Sequence, residues 1–401
     1  MTKPLEKIKV IELSTYVAAP ATARMLADLG AEVIKVETLT GDQWRAQGKL
    51  LLNTTDEENP YFDIYNTGKK CISINIKNPD GLELMMKLIA EADIFITNVR
   101  ANSLRKIGLD ADTLRTKYPS LIYASVDGYG PKGPEAGKPG FDNLAFWARS
   151  GFSADIPFKT ETSYPLPATS GIGDCVTSGF LLSSILAALY KREVTGEGDT
   201  VNVSLYNCGI WVMSSMLLRA DPHYGGHYPV DPYSGNPLTS NYKCADGEWV
   251  IISERIYDKD APLIYKILGV ENDIDLLGIT KENYFNKANE LIPLLQKAFL
   301  QKDAIEWVEA FRAQDLVIER LTHIEDILTD EQAWANGFVE SIKNRNGYRS
   351  TIACPPVKMA SFSKEESMPA PLLGGNTDEI MKSLGYSDER IAALREDEAI
   401  K

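Results

Sequence analysis

Short apolar runs alternate with longer amphipathic stretches along the first half of the chain. Residues 7–13 form one apolar run, and residues 32–36 form another. Between them, residues 21–29 carry apolar side chains at helical spacing and end at Gly30, a residue type that commonly terminates helices. This order predicts one β-α-β unit.

The same pattern then repeats. Residues 71–76 predict a strand, and Asn78-Pro79-Asp80 predicts a helix start, with a capping side chain followed by proline at the first helical position. Residues 93–97 and 121–126 predict two further buried strands. We therefore expect an α/β fold on a Rossmann-like, mostly parallel sheet, in which ligands bind at the carboxyl ends of the strands.

A strongly apolar helix is predicted over residues 174–191. Its apolar side chains cover several faces, so we expect it to be deeply buried. The longest apolar run, residues 180–189, contains Ser183 and Ser184 and is shorter than a segment that crosses a bilayer. We therefore expect no membrane partner.

The composition changes in the second half of the chain. Residues 221–241 are rich in proline, glycine, tyrosine and asparagine, which suits a linker or an active-site loop. A turn and strand at 246–252 and helical patterns after it predict a smaller α+β domain. We expect a large Rossmann-like domain, a small domain with its linker, and a return to the large domain, with these boundaries: residues 1–220, 221–324 and 325–401.

Charge and residue usage exclude several functions. The chain has 42 Lys and Arg against 56 Asp and Glu, for a net charge of −14, which argues against nucleic acid and anionic membranes as partners. The N-terminus has no signal-peptide core, so we expect a cytoplasmic protein. The five cysteines form no CxxC pair and predict reduced thiols. Two of the three histidines, His223 and His227, have glycines between them, which favours a loop over a metal site.

Common catalytic motifs are missing. The sequence after the first strand lacks the dinucleotide motif GxGxxG, and the chain has no P-loop, HExxH or GxSxG. What remains is Gly171-Ile172-Gly173-Asp174 at the start of the apolar helix. Asp174 fits a helix N-cap, but it also fits a nucleophile, kept ionised by the helix dipole and exposed by the glycines around it. The two interpretations are compatible.

Several blocks in order resemble family III CoA-transferases over essentially the whole chain. The blocks are VIELSTYVAAPATARMLADLGAEVIKVE, TGKKCISINIKNPDG, the region of Asn98 and residues 104–108, SVDGYGPKGP, GIGD and LLGGNTDEIMKSLGYS. The resemblance implies the fold of that family and an interlocked homodimer. It also puts Asp174 at the position of the catalytic aspartate, with Gly173 beside it.

The α-methylacyl-CoA racemases belong to the same family and keep this aspartate. They pair it with a histidine in a Gly-His-Asp segment, where this chain has Gly140-Phe141-Asp142. A two-base proton transfer needs a second titratable group, which Phe141 cannot supply. A racemase is therefore the alternative rather than the expected activity. By resemblance, Asp142 orients Asp174 or the substrate; its other interpretation is a surface turn residue.

The resemblance also implies coenzyme A contacts. Val17, Ile74 and Asn98 correspond to positions that line the pantetheine or adenine, and Lys77, Lys106 and Lys138 to positions at or beside the nucleotide. Each lysine is otherwise a solvated surface charge. Formyl-CoA transferases carry glutamine at the position of Val17 and arginine at that of Thr38, so oxalate and formate are disfavoured.

The chain most resembles the branch that serves amino-acid fermentation. We therefore expect transfer of CoA from an acyl-CoA or enoyl-CoA to a free 2-hydroxycarboxylate, with 2-hydroxyisocaproate of leucine fermentation as the acid. The route would pass through a mixed anhydride and an aspartyl-CoA thioester. CoA esters are substrates, and the resemblance implies no permanently bound cofactor and no metal. A non-catalytic acyl-CoA-binding protein is a second alternative.

Overall fold

The computed structural model describes residues 3–55, 58–162, 164–169, 171–362 and 365–401. Eleven strands are found in these residues: β1 Lys9–Leu13, β2 Glu32–Glu37, β3 Lys70–Ser73, β4 Ile94–Thr97, β5 Ile122–Asp127, β6 Thr200–Ser204, β7 Asn241–Lys243, β8 Trp249–Ile252, β9 Ile318–Arg320, β10 Val339–Lys343 and β11 Arg349–Ala353.

The helices of the described residues are α1 Ala18–Asp28, α2 Trp44–Leu52, α3 Pro60–Asn66, α4 Pro79–Ala90, α5 Ala101–Arg105, α6 Ala111–Lys117, α7 Phe152–Asp155, α8 Ile172–Thr195, α9 Leu205–Val212, α10 Ser214–Arg219, α11 Tyr257–Leu268, α12 Glu271–Leu277, α13 Ala288–Phe299, α14 Ala304–Arg312, α15 Glu331–Ala335, α16 Thr377–Ser383 and α17 Asp388–Glu396. A π-helix spans Asp142–Ala148, and a 3₁₀ helix spans Ile324–Thr329.

Two compact units make up the chain. One contains residues 1–152, 167–217 and 331–401, and the other contains residues 153–166 and 218–330. The domain boundaries expected from the sequence, at residues 220 and 324, lie close to the unit boundaries at residues 217 and 330. Residues 153–166, which the sequence analysis assigned to the large domain, belong to the second unit.

The first unit has a six-stranded parallel sheet in the order β3-β2-β1-β4-β5-β6. The predicted parallel sheet is confirmed. Side chains of successive strand residues point to opposite faces. Ile11 and Phe95 pack with apolar side chains of α4, α16 and α17 on one face, while α1 and α8 pack together, with Thr22 Oγ1 donating to the carbonyl oxygen of Ser178 at 3.2 Å.

Helix starts in this unit follow the predicted chemistry. The Asn78 side chain caps α4 by accepting a hydrogen bond from the Asp80 N–H, with Pro79 at the first position. The side chain of Ser387 caps α17. Helices α16 and α17 pack on the sheet of the first unit.

The second unit has a three-stranded antiparallel sheet, β7-β8-β9, with α11 to α14. Its core includes Tyr242 and Phe299, whose rings stack at 4.7 Å. Asp303 and Glu306 form a capping box at the start of α14. Strands β7 and β9 have three residues each, which is too short for an alternation of apolar and polar residues to be recognised in the sequence.

Helix α8 differs from its prediction in two ways. It is 24 residues long, two residues longer at its start and four at its end than the predicted 174–191, and by length and composition alone it could cross a membrane. It is also not deeply buried: Tyr190 and Val194 are 75% and 70% exposed. Only its other side, including Leu181 and Ile185, packs into the α/β core. The sequence shows that these side chains are apolar but not what covers them.

Candidate active site

Asp174 lies in the first turn of α8, at the carboxyl edge of the parallel sheet. The N-cap of this helix is Gly171, whose φ of 87° is a left-handed conformation that favours glycine. The prediction that Asp174 itself caps the helix was therefore wrong, because Gly171 begins the helix three residues earlier. The carboxylate of Asp174 is left available for other contacts.

Asp142 supports the start of this helix from the side. It is the first residue of the π-helix and is only 9% exposed, so it is not a surface turn residue. Its Oδ2 accepts a hydrogen bond from the Gly171 N–H at 3.0 Å. Its Oδ1 is buried beside Gly173. Asp142 thus fixes the loop that leads into Asp174.

Gly173 is the point of closest approach between α8 and the π-helix. A Cβ at this position would lie 2.2 Å from Asp142 Oδ1 and 2.3 Å from Phe146 Cγ. Such distances are far below van der Waals contact, so only glycine fits without displacement. The second glycine of GIGD therefore lets the two carboxylates come close together.

The electrostatics of the pair Asp142 and Asp174 differ from the prediction that Asp174 stays ionised. Burial, and then the charge of Asp142, raise the pKa of Asp174 to about 7. Burial also raises the pKa of Asp142, against hydrogen bonds that act to lower it. The expectation that the helix dipole keeps Asp174 fully ionised was wrong, because desolvation and a like charge outweigh the dipole. Near neutral pH, Asp174 is both partly ionised and poorly solvated, which suits a nucleophile.

Aromatic side chains flank this site, and we call Tyr16, Trp44, Tyr61, Tyr65 and Phe141 the aromatic cluster. Ring centroids of Tyr16 lie 6.1 Å from Trp44 and 5.6 Å from Phe141. The Tyr65 hydroxyl lies 3.9 Å from Cys175 Sγ, and it would be 3.2 Å from a Cβ at Gly171. The sequence analysis missed this cluster except for Phe141. Residues 14–69, which contain its other four members, are no richer in aromatic residues than the whole chain, so the composition gave no signal.

Two of the apolar or amide positions predicted to line CoA lie around the loop after β1. Val17 is 1% exposed, and its Cγ1 would be 3.9 Å from a Cβ at Gly171. Asn98 accepts from the Thr15 N–H at 3.0 Å and donates to the Thr15 carbonyl at 2.7 Å. This loop lies where the strand order reverses between β1 and β4, the usual ligand site of such sheets. The Asn98 amide fixes the loop, and its contact with CoA stays a prediction.

The other four predicted positions follow strand ends but make no recorded contact with Asp174. Ile74, directly after β3, is 1% exposed, and its N–H donates to the Glu37 carbonyl at 2.8 Å. Lys77, Lys106 and Lys138 are exposed and follow β3, β4 and β5, so all three lie toward the carboxyl edge. Lys138 pairs with Glu135 at 2.9 Å. Their role in holding phosphates stays a prediction.

Comparisons with known proteins identify the family of the chain. The family described as CoA-transferase family III matches residues 5–377 of the 401-residue chain. The chain belongs to this family. As a family III CoA-transferase, it is 38% identical to (R)-2-hydroxy-4-methylpentanoate CoA-transferase of Clostridioides difficile, covering 99% of both chains. It is 36% identical to cinnamoyl-CoA:phenyllactate CoA-transferase of Clostridium sporogenes, covering 100% of this chain and 98% of the other.

Solved structures give the same fold. A hypothetical protein of Mycobacterium tuberculosis superposes with a TM-score of 0.79 at 26% identity, covering 94% of this chain and 99% of its own. A CAIB/BAIF family protein of Brucella suis superposes with a TM-score of 0.80 at 24% identity, covering 96% of this chain and all of the other. The expected family III CoA-transferase fold is confirmed.

Proposed function

We propose that this family III CoA-transferase moves CoA from an acyl-CoA or enoyl-CoA to a free 2-hydroxycarboxylate, with 2-hydroxyisocaproate as the acid, in leucine fermentation. One observation carries the proposal: a half-buried carboxylate, Asp174, lies in the first turn of α8 with its pKa raised to about 7. The names of the two relatives, which act on 2-hydroxy-4-methylpentanoate and phenyllactate, support the substrate class.

In the first half-reaction, an oxygen of ionised Asp174 attacks the thioester carbonyl of the donor. The C–S bond breaks, leaving a mixed anhydride and the CoA thiolate. The thiolate then attacks the Asp174 carbonyl of the anhydride, releases the donor acid as its carboxylate and leaves an aspartyl-CoA thioester. No proton is gained or lost, so no histidine base is needed.

The second half-reaction runs the same two steps in reverse with the acceptor. The carboxylate of the 2-hydroxy acid attacks the aspartyl thioester and expels the CoA thiolate, which then attacks the acyl carbonyl of the new anhydride. Asp174 is regenerated, and the acceptor leaves as its CoA ester. Because one thioester replaces another, the overall free-energy change is small.

Asp142 and Gly173 support this chemistry without reacting. Asp142 holds the Gly171 N–H, and its charge contributes to the raised pKa of Asp174. Gly173 lets α8 pack against Asp142 and Phe146, because a Cβ at this position would collide with both. Its N–H is among the main-chain donors that act to lower the pKa of Asp142.

The aromatic cluster supports an apolar acyl group. Phe141 is 52% exposed, and Val17 replaces the glutamine typical of enzymes for small polar acids. The isobutyl or benzyl side chain of the acid would be stabilised by leaving water and packing against this apolar surface. The phosphates of CoA would be held by Lys77, Lys106 and Lys138, and the pantetheine or adenine by Val17, Ile74 and Asn98.

We also propose an interlocked homodimer. Several large apolar side chains of the first unit are exposed in the single chain, which is unfavourable in water: Phe180, Tyr190 and Val194 on α8, and Trp211, Val212 and Leu217 on α9 and α10. A second copy would cover them. Light scattering during size-exclusion chromatography should give twice the mass of one chain, whereas a stable monomer would contradict this part.

A cytoplasmic location completes the proposal. Cys71, Cys208 and Cys244 are buried free thiols. Free thiols suit a reducing compartment. Fluorescence microscopy of the tagged full chain in a bacterial host should show signal throughout the cytoplasm, whereas signal confined to the membrane would contradict it.

The deciding experiment mixes purified enzyme with isocaproyl-CoA and labelled 2-hydroxyisocaproate, using wild type and Asp174→Ala. Label should enter the CoA ester only with the wild type. Equal transfer by both would overturn the assignment of the nucleophile. Binding of CoA without transfer by either would favour a non-catalytic binding protein, and exchange of the α-hydrogen with heavy water without acyl exchange would favour the racemase.

A further inference from the structure

A set of buried charges lies under the loop after β1. We call Glu12, Lys35, Asp42 and Lys69 the buried charge network; the side chains of all four are fully buried. Lys35 Nζ lies 2.9 Å from Glu12 Oε1 and 3.0 Å from Asp42 Oδ2, and Lys69 Nζ lies 2.6 Å from Glu12 Oε2. Two lysines therefore balance two carboxylates in the interior.

Asp42 connects this network to the loop. Its Oδ1 accepts hydrogen bonds from the Tyr16 N–H at 3.1 Å and from the Trp44 N–H at 2.9 Å. Its own N–H donates to Glu37 Oε2, which in turn is bound by Arg45. One oxygen of the Asp42 carboxylate therefore forms an ion pair with Lys35, without a hydrogen bond, and the other accepts hydrogen bonds from the main chain.

Tyr16 needs such support because of its backbone. Its φ of 64° is left-handed, a conformation that is uncommon for a bulky residue other than glycine. The preceding residue, Thr15, is fixed by its two hydrogen bonds with Asn98. Backbone strain of this kind persists only where the surroundings enforce it, and it is frequent at active sites.

The strained residue adjoins the reacting groups. Its ring packs edge-on against Phe141, the neighbour of Asp142 in sequence. The next residue, Val17, faces Gly171 at the start of α8. A change in the backbone at Tyr16 would therefore move two of the surfaces that frame Asp174.

We propose that Asp42 is a positioning residue for CoA transfer: its carboxylate, anchored by Lys35, holds Tyr16 in the left-handed conformation and so places Val17 and Phe141 around Asp174. This inference rests on the proposed function. Asp42 touches no reacting atom in this scheme. Its effect should pass through Tyr16, which separates it from a purely structural role in the core.

The test compares wild type, Asp42→Ala, Tyr16→Gly and the double variant. Glycine adopts a φ of this sign without strain, so it needs the carboxylate less. Loss of positioning in active sites costs up to about 100-fold, and we expect Asp42→Ala to lower kcat about tenfold in the wild type. In the Tyr16→Gly background, the same change should lower kcat less than about threefold, because the strain is absent.

Asp260→Ala is the matched control. Asp260 is 1% exposed and its Oδ2 likewise accepts two main-chain hydrogen bonds, from Arg255 and Ile256, but it lies in the other unit. It should lower thermal stability and leave kcat of the folded enzyme within about twofold. If Asp42→Ala does not fold, Asp42→Val, which keeps more of the side-chain volume and has no acceptor oxygen, takes its place in both backgrounds.

The possible outcomes separate the positioning role of Asp42 from the proposed function of the enzyme. A smaller effect in the Tyr16→Gly background supports the positioning role. Equal effects of Asp42→Ala in both backgrounds, in an enzyme whose wild type transfers CoA, would overturn this inference and leave the proposed function intact. A folded wild type that transfers CoA to no 2-hydroxy acid would overturn both.

Discussion

Two groups of buried acidic side chains in the first unit behave in opposite ways. Burial alone would raise the pKa of Glu12, but the charges of Lys35 and Lys69 hold it at about 2. At the start of α8, burial and the charge of Asp142 raise the pKa of Asp174 to about 7, with no cation among its causes. The same desolvation is compensated in one place and left uncompensated in the other.

The difference shows which of the two carboxylates, Glu12 or Asp174, is able to react. A carboxylate bound by two lysines is stable and a poor nucleophile, because attack would break its ion pairs. A carboxylate beside another acid keeps an unfavourable charge that a bond to an acyl carbon removes. In this protein the first arrangement fixes the backbone and the second supplies the proposed chemistry, although both lie in the same unit.

Asp174→Asn should have the largest effect. An amide cannot form the anhydride, so kcat should fall at least about 1,000-fold. The measurement is transfer of label into the CoA ester at saturating substrates. Asp199→Asn, at an exposed pair with Lys191, is the control and should keep wild-type activity; more than about a tenth of wild-type kcat in Asp174→Asn would contradict the assignment.

Glu12→Gln should most reduce stability. It leaves Lys35 and Lys69 buried with one carboxylate fewer, and breaking a buried ion pair costs about 3–5 kcal/mol. The free energy of unfolding from urea titration at pH 7 gives the value. Because the folded pKa of Glu12 is depressed, wild-type stability from this group is present above pH 4.5 and lost as the pH falls toward 2. A loss below about 1 kcal/mol would show that the network is not needed.

Gly173→Ala should reduce activity about 100-fold, because the new methyl group must displace Asp142 or Phe146 and with them the turn that carries Asp174. Gly179→Ala, on the same helix, is the matched control. A Cβ there meets nothing within 4 Å, so this change should leave kcat unchanged and stabilise the helix by up to about 1 kcal/mol. Equal kcat for both variants would contradict the close approach at Gly173.

A change of pH should alter activity less than these substitutions do, and the direction of the change follows from the raised pKa of Asp174. Only ionised Asp174 attacks, so kcat/KM should rise about tenfold per pH unit below 7 and level off above it. A raised folded pKa also means that this group costs stability as the pH rises from about 4 to 7. Asp174→Asn should therefore raise stability at pH 8 by about 1–2 kcal/mol, and not at pH 4. A flat activity profile from about pH 5 to pH 8 would contradict the raised pKa.

The sequence predicted the parallel sheet, the cap at Asn78 and the place of Asp174 at the start of a helix. The cap and the helix start depend on residues close together in the chain, and the strands were visible as short apolar runs. It did not predict the aromatic cluster or the buried charge network, which join side chains as far apart as Glu12 and Lys69. The ion pair of Glu12 and Lys35 could have been predicted, because the two residues are neighbours in the register of β1 and β2.

Electrostatics at the site could not be predicted for a different reason. The sequence places Asp174 at a helix N-terminus, where the dipole favours the anion. It does not show how much water the fold removes, or that Gly173 brings Asp142 within a side chain's reach. The exposed apolar face of α8 was also missed, because burial depends on which elements pack against a helix rather than on its composition.

Trapping with hydroxylamine tests the central claim most directly. Wild-type enzyme is incubated with hydroxylamine, with or without isocaproyl-CoA, and its peptides are analysed by mass spectrometry. We predict a hydroxamate on Asp174 that forms only when the CoA ester is present. A hydroxamate on another carboxylate, or none during active transfer, would contradict the account.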